Sequence, residues 1–219
     1  RLGRWFLWVL GAAVYHLDFS YSLPWINGIV SLVFIAVSAA LLVYIFNLKN
    51  KLSIILISGM LVVFPSWTAT FFFMFTAPYY SLAFFLGVLG VFFTVTYRKG
   101  YILAVLCTVL SLGIYQAYFP FIASLYVMVL IQNLVQNETI RVREKIKNSF
   151  KYLFLLVGSI ILYGIITELT LLITGQQLAS YRGLDNVGTI SIEKIGLIIK
   201  EIFTCFASLC LGNDYELSY

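Results

Sequence analysis

Between Ile26 and Leu48 the chain reads INGIVSLVFIAVSAALLVYIFNL, an apolar run with no charged residue in it. About 20 such residues, at about 1.5 Å of rise each, cross the roughly 30 Å hydrocarbon core of a bilayer as a helix. Similar runs follow on both sides. Upstream, Trp5 to Tyr15 is shorter, reaching Leu17 at most, and a polar turn from His16 to Trp25 separates the two. Downstream, Leu52 to Phe64 stops at Pro65. The strongly aromatic Phe71 to Phe75 then leads to Pro78, and Ser66 to Ala77 is too short to span. That piece reads as an interfacial or re-entrant segment, tolerated at membrane depth where it is buried in protein or lines a wet cavity. Further runs are Tyr79 to Tyr97, Tyr101 to Tyr115, Tyr118 to Val135 (with Gln116 and Pro120 at the turn before it) and Tyr152 to Thr174. The expected architecture is an all-α, polytopic transmembrane helical bundle with about seven spans plus re-entrant or interfacial helices.

Composition agrees. Of 219 residues, 62% are apolar and only 11% charged, with a mean hydropathy of +0.98. A soluble domain carries roughly 25% charged residues, so soluble, disordered, collagen-like and nucleic-acid-arm readings are excluded. No nucleic-acid partner is expected, and membrane lipid is. Residues 1–174 read as the bundle. Residues 175–219 read as an external loop in which Ile192 to Leu211, interrupted by Glu193, Lys194, Lys200 and Glu201, forms an amphipathic helix along the interface; an eighth span is the alternative. A chain that opens at Arg1 without a methionine reads as part of a longer one. Cys107, Cys205 and Cys210 show no CxxC spacing, and no metal is assigned to them.

The net charge of +5 is written at helix boundaries. Arg1, Arg4, Lys49, Lys51, Arg98, Lys99, Arg141, Arg143, Lys145, Lys147 and Lys151 fall at every second boundary, leaving Arg182, Lys194 and Lys200 opposite. Cytoplasmic loops carry the excess of Lys and Arg, so the basic boundaries are expected to be cytoplasmic. The opposite face holds Asp18, Asp185, Glu193, Glu201, Asp214 and Glu216 and the single histidine. Any external active site belongs there.

His16, Asp18, Ser20, Tyr21 and Ser22 put an imidazole, an acid and hydroxyls at the outer mouth of two helices. Asp18 there is a candidate general base or cation ligand; the alternative is a solvated acid capping the next helix. A lone histidine such as His16 is more often structural than catalytic. Glu168 is the one acid well inside an apolar run, and such acids face a bundle interior or a cavity, or pair with a neighbouring helix. Tyr115 and Gln116 close their helix with polar groups on the outer side, as interface anchors or as cavity lining. In Tyr181, Arg182, Gly183, Leu184, Asp185, the arginine suits a phosphate or pyrophosphate, and a salt bridge to Asp185 is the alternative. The basic loop Arg141 to Lys151 is explained as a topology signal. GxxxxGK, GxGxxG, HExxH and GxSxG motifs are absent from the sequence.

Three stretches together carry a resemblance: Leu2, Gly3, Arg4, Trp5; then Ser22, Leu23, Pro24, Trp25, Ile26, Asn27, Gly28; and Ser111, Leu112, Gly113, Ile114, Tyr115, Gln116, Ala117, Tyr118. In these the chain resembles the GtrII family of bacterial membrane glucosyltransferases, over roughly the first 135 residues, with weaker support from Tyr181, Arg182 and Gly183. The resemblance implies a GT-C-like enzyme of the bacterial cytoplasmic membrane. Such an enzyme moves glucose from a polyprenyl-phosphate carrier, its lipid-linked sugar donor, to a cell-surface glycan acceptor on the external face. It implies no further cofactor, and a divalent cation has no support in the sequence. Tyr115 and Gln116 match the family pattern as cavity-lining residues. Arg182 would then stabilise the leaving phosphate, and Asp18 or Glu168 would activate the acceptor hydroxyl, with His16 and Tyr181 nearby. Enzymes of this type carry acids in an early external loop; the chain is expected to begin beyond that loop, and the principal catalytic acid to lie outside it. A lipid-linked sugar transporter or flippase, or a non-catalytic membrane scaffold, would use the same helical composition.

Overall fold

The computed structural model describes residues 3–16, 23–136 and 142–175, with a few isolated positions beyond them. These form eight α-helices and one 3₁₀ turn: α1 (Trp5–His16), α2 (Pro24–Ile45), α3 (Lys51–Val63), α4 (Pro65–Phe72), α5 (Ala77–Thr96), α6 (Tyr101–Ile114), the turn Gln116–Tyr118, α7 (Phe119–Gln136) and α8 (Val142–Thr174). No strand occurs among the described residues. Among the described residues, five stretches are long and apolar enough to cross a membrane: Pro24–Ile45, Lys51–Phe72, Ala77–Thr96, Gln116–Val135 and Phe150–Thr174. The apolar helices Trp5–His16 and Tyr101–Ile114 are shorter. The seven helical runs expected from the sequence are thus present in a membrane helical protein.

Prolines set several boundaries. Pro24 opens α2 and Pro78 lies in the first turn of α5, where a missing N–H costs nothing. Phe64 precedes Pro65, and the pyrrolidine ring disfavours a helical ψ there. Its ψ is 128°, so α3 ends at Val63 and α4 begins anew. α3 alone would be about 20 Å long, and α4 completes the span. The segment expected to be re-entrant, Ser66 to Ala77, is therefore α4 followed by a turn into α5. Asn50 caps α3 by accepting from the Leu52 N–H at 3.0 Å.

α5 is the central element. Phe34 of α2 meets Phe85, and Tyr44 meets Phe92. Phe121 of α7 stacks on Phe84, and Tyr126 bonds Thr94 at 3.0 Å. Both neighbours therefore run parallel to α5. α6 runs against it, with Ser111 Oγ donating to the Ala83 carbonyl at 2.7 Å. α8 runs against α7, since Tyr126 stacks on Tyr152 while Gln116 reaches Tyr163. Small side chains such as Ala83, Ala104 and Ser111, all fully buried, let these helices approach closely. Hydroxyls in the apolar spans satisfy themselves on the preceding turn, as Ser31 does on the Asn27 carbonyl and Ser38 on that of Phe34. Outward, Ile55, Leu56 and Val63 are exposed, as residues in contact with lipid are.

Two ends follow from this packing. Lys49 and Lys51, after α2, lie with Arg98 and Lys99, after α5, at what we call the basic end. The starts of α2 and α5, the end of α6 and the 3₁₀ turn form the opposite, tyrosine end. Ser111→Ala removes a hydroxyl that bridges α5 and α6 near this end. It is expected to lower stability by about 0.6–1.7 kcal/mol, the range for interhelical bonds in membranes, measured as unfolding in detergent.

Candidate functional site

At the tyrosine end the chain gathers groups that are distant in sequence. Tyr80, in the first turn of α5, and Tyr115, which terminates α6, lie with ring centroids 4.8 Å apart. Tyr118 meets Tyr115 edge-on at 5.6 Å. Arg4 completes the cluster: its Nη1 donates to the Tyr80 hydroxyl at 3.2 Å, and its guanidinium carbon stands 4.8 Å from the centre of the Tyr115 ring. A cation over an aromatic face is worth about 0.5–2 kcal/mol. Arg4 is half-buried, and its Nε is enclosed without an acceptor, as is the indole Nε1 of the adjacent Trp5. Among the described residues Arg4 has no carboxylate partner, and Glu168 is the one acid whose side chain is described.

Arg4 thus lies at the end opposite Arg98 and Lys99, which corrects its assignment to the basic boundaries. The physical reason is length. α1, about 18 Å long at 12 residues, does not cross a 30 Å core, and both its start and the start of α2 lie at the tyrosine end. Trp5 and Phe6 hold α1 there by seating on Gly113 of α6, where an added Cβ would come within 2.8 Å of the indole.

Gly3 positions the arginine. It adopts φ +70°, and its carbonyl accepts from the Tyr163 hydroxyl at 2.9 Å while Gln116 Nε2 reaches that hydroxyl at 2.6 Å. A Cβ on Gly3 would fall 2.6 Å from the Tyr163 oxygen and 2.8 Å from Gln116 Nε2. Gly3→Ala is therefore expected to cost at least the ~1–2 kcal/mol of a left-handed non-glycine residue, visible as a lower melting temperature in detergent.

Beside this cluster runs a groove of about 910 Å³. Ile57, Met60 and Leu61 of α3, Phe64 at the break, and Ser66, Trp67, Ala69 and Thr70 of α4 form one wall; Tyr80, Phe84, Tyr115, Ala117, Tyr118 and Phe121 form the other. α4 lies there because Trp67, 5% exposed, packs edge-on against Phe84. The groove is apolar along α3 and carries hydroxyls where it meets the tyrosines that touch Arg4.

Of the residues singled out from sequence, Tyr115 and Gln116 fall in this cluster. His16 is exposed at the end of α1, beside Tyr15. Glu168 is exposed on α8, whereas its neighbour Thr167 is buried toward Gly3. Asp18, Tyr181 and Arg182 lie outside the described residues, as do the expected interfacial helix and Cys205 and Cys210. The sequence reading missed Tyr80 and Tyr163 and placed Arg4 at the wrong end. Among the described residues no group of three His, Cys, Asp or Glu side chains comes together.

Comparison with curated proteins and with solved structures found no match. The family model of the glucosyl transferase GtrII, in contrast, matches residues 1–211, nearly the whole chain and all of the described cluster. The chain therefore belongs to the GtrII glucosyl transferase family and is a membrane glucosyltransferase.

Proposed function

We propose that the protein transfers glucose from a polyprenyl-phosphate carrier to a cell-surface glycan, with the tyrosine end facing the outside of a bacterial cytoplasmic membrane. The observation that carries this reading is Arg4: a guanidinium with an unsatisfied Nε, held by Tyr80 and Tyr115, two tyrosines that line an apolar groove. A half-buried cation calls for an anion, and a lipid-linked phosphate offers one at membrane depth. In the transfer, the bond between the anomeric carbon and the phosphate oxygen breaks, its electron pair leaving with polyprenyl phosphate. The acceptor oxygen bonds to the anomeric carbon, and its proton passes to a carboxylate. Arg4 stabilises the charge gathered on the departing phosphate. Tyr115 and Gln116 line the sugar side, with His16, Tyr181 and Arg182 as further contacts. Asp18 and Glu168 are the proposed bases. The basic end, with Lys49, Lys51, Arg98 and Lys99, suits the cytoplasmic side.

The test is transfer of labelled glucose to glycan in sealed vesicles carrying the full-length protein. Polyprenyl-phosphate-glucose presented on the outer leaflet is expected to serve, and a nucleotide-linked glucose is not. Asp18→Asn is expected to abolish transfer if that acid is the base, and Glu168→Gln if the other is; loss with neither variant overturns both assignments. No transfer by well-folded protein, across several lipid-linked sugars, would favour a transporter or a scaffold.

A further inference from the structure

Tyr163 joins three parts of the chain that lie far apart in sequence. It sits half-buried on α8, and its hydroxyl donates to the Gly3 carbonyl at 2.9 Å across 160 residues. Gln116 Nε2 donates to the same phenolic oxygen at 2.6 Å across 47 residues. The direction of this relay is set by its inner end. Gly3 is buried and its carbonyl can only accept, so the single phenolic proton is committed to it. Toward Gln116 the phenol can then only accept, and the amide must turn an N–H to it. One turn further along α8, buried Thr167 donates to the Tyr163 carbonyl at 2.8 Å and stands beside Gly3. The two residues tied by the phenol flank the two that meet at the site: Gly3 precedes Arg4, and Gln116 follows Tyr115, whose ring centre is 4.8 Å from the guanidinium carbon.

We infer that Tyr163 is a positioning residue for glucosyl transfer: through one hydroxyl it holds the backbone before Arg4 and the turn after Tyr115 at a fixed spacing, and so keeps the guanidinium over the ring. The inference rests on the role proposed for Arg4 and adds the group that sets its place from behind. Tyr80 and Tyr115 hold the head of the arginine. Neither fixes its backbone against the turn that follows α6, and α1, which buries no residue of its own, does not do so either. Tyr163 does, from a helix that reaches the site from the far side of the bundle, and it needs both its proton and its lone pair to do it.

The test is transfer from polyprenyl-phosphate-glucose by the full-length protein in vesicles, with kcat and KM for that donor read separately and normalised to folded protein. Tyr163→Phe keeps the ring and removes both bonds. It is expected to lower kcat roughly tenfold, as the loss of two ordinary hydrogen bonds would, with little change in KM. Gln116→Glu has nearly the shape of the amide but puts an acceptor where an N–H stood, so the phenolic proton turns to it and Gly3 is released. Because both changes act through one hydroxyl, the double variant is expected to be no slower than the slower single variant. Hydrogen exchange in detergent reads the same relay without activity: residues 3–8 are expected to exchange faster in Tyr163→Phe, and α5 at its usual rate. A lower melting temperature with wild-type kcat would make Tyr163 a structural contact only and overturn the inference. Multiplying losses in the double variant, or unchanged exchange over residues 3–8, would overturn it as well. A large loss in Arg4→Ala with wild-type kcat in Tyr163→Phe removes the relay and leaves the role of Arg4 standing. Wild-type transfer in Arg4→Ala ends that role itself, and the inference with it, whatever Tyr163→Phe does.

Discussion

Arg4→Ala is expected to lower the rate of glucosyl transfer by about 10²–10³-fold, the loss seen when one group that stabilises developing negative charge is removed. In the proposed reaction the departing polyprenyl phosphate gains charge, and the groups gathered at the tyrosine end beside Arg4 are phenols and an amide. Arg4 is the one cation described there. Because the charge grows in the transition state, the loss should fall mainly on kcat, with a smaller rise in KM for the donor. Arg4→Lys is expected to recover only part of the rate. An ammonium keeps the charge, but it lacks the planar fork that spans the Tyr80 hydroxyl and the Tyr115 face while offering further N–H groups to the phosphate. Tyr80→Phe, which removes one bond to that guanidinium, should have a smaller effect, on the order of 1 kcal/mol. The bundle core does not depend on Arg4, so the melting temperature should move little. Arg182→Ala provides the comparison: a large loss there with wild-type transfer in Arg4→Ala would hand the phosphate to Arg182 and end the role proposed for Arg4.

Why Arg4 was misplaced in the sequence reading, while most of the bundle was legible, comes down to range. The spans announce themselves locally. Apolar runs of bilayer length, prolines at 24, 65 and 78, and the Tyr115–Gln116 turn each act within a few residues, and the structure keeps those boundaries. Charge patterning also served for Lys49, Lys51, Arg98 and Lys99, which share one end. It failed for Arg4 because the positive-inside rule presumes that each apolar run crosses, and the short run after Arg4 does not. The brevity of Trp5 to Tyr15 was the signal available. Tyr80 and Tyr163 carried none: one sits 76 residues from Arg4 and the other 160 from Gly3, and only packing brings them together. Glu168 stands out as a lone acid, but the stretch Phe150–Thr174 of α8 is apolar on all sides. Periodicity could not show that Thr167 turns inward and Glu168 outward.

Gly113→Leu is expected to reduce transfer nearly as much as Arg4→Ala, although Gly113 touches neither sugar nor phosphate in the proposed arrangement. Its role is to leave room. An added Cβ would stand 2.8 Å from Trp5 Cε2 and 2.9 Å from Phe6 Cβ, and a leucine extends well past that point. α1 has no buried residue of its own, so it yields before α6, whose Leu112 and Ile114 are locked in the core. Trp5 is then displaced, and Arg4, one residue away, leaves Tyr80 and Tyr115. Gly113→Ala should give an intermediate loss, since a methyl needs only a small retreat of the indole. A positioning role has a signature that general damage lacks. If Gly113→Leu acts only by moving Arg4, the double variant with Arg4→Ala should be no slower than the slower single variant, because the second change removes what the first has already lost. Multiplying losses would mean that the glycine supports the site by another route, and wild-type transfer in Gly113→Leu would mean that α1 is not held where Trp5 meets α6.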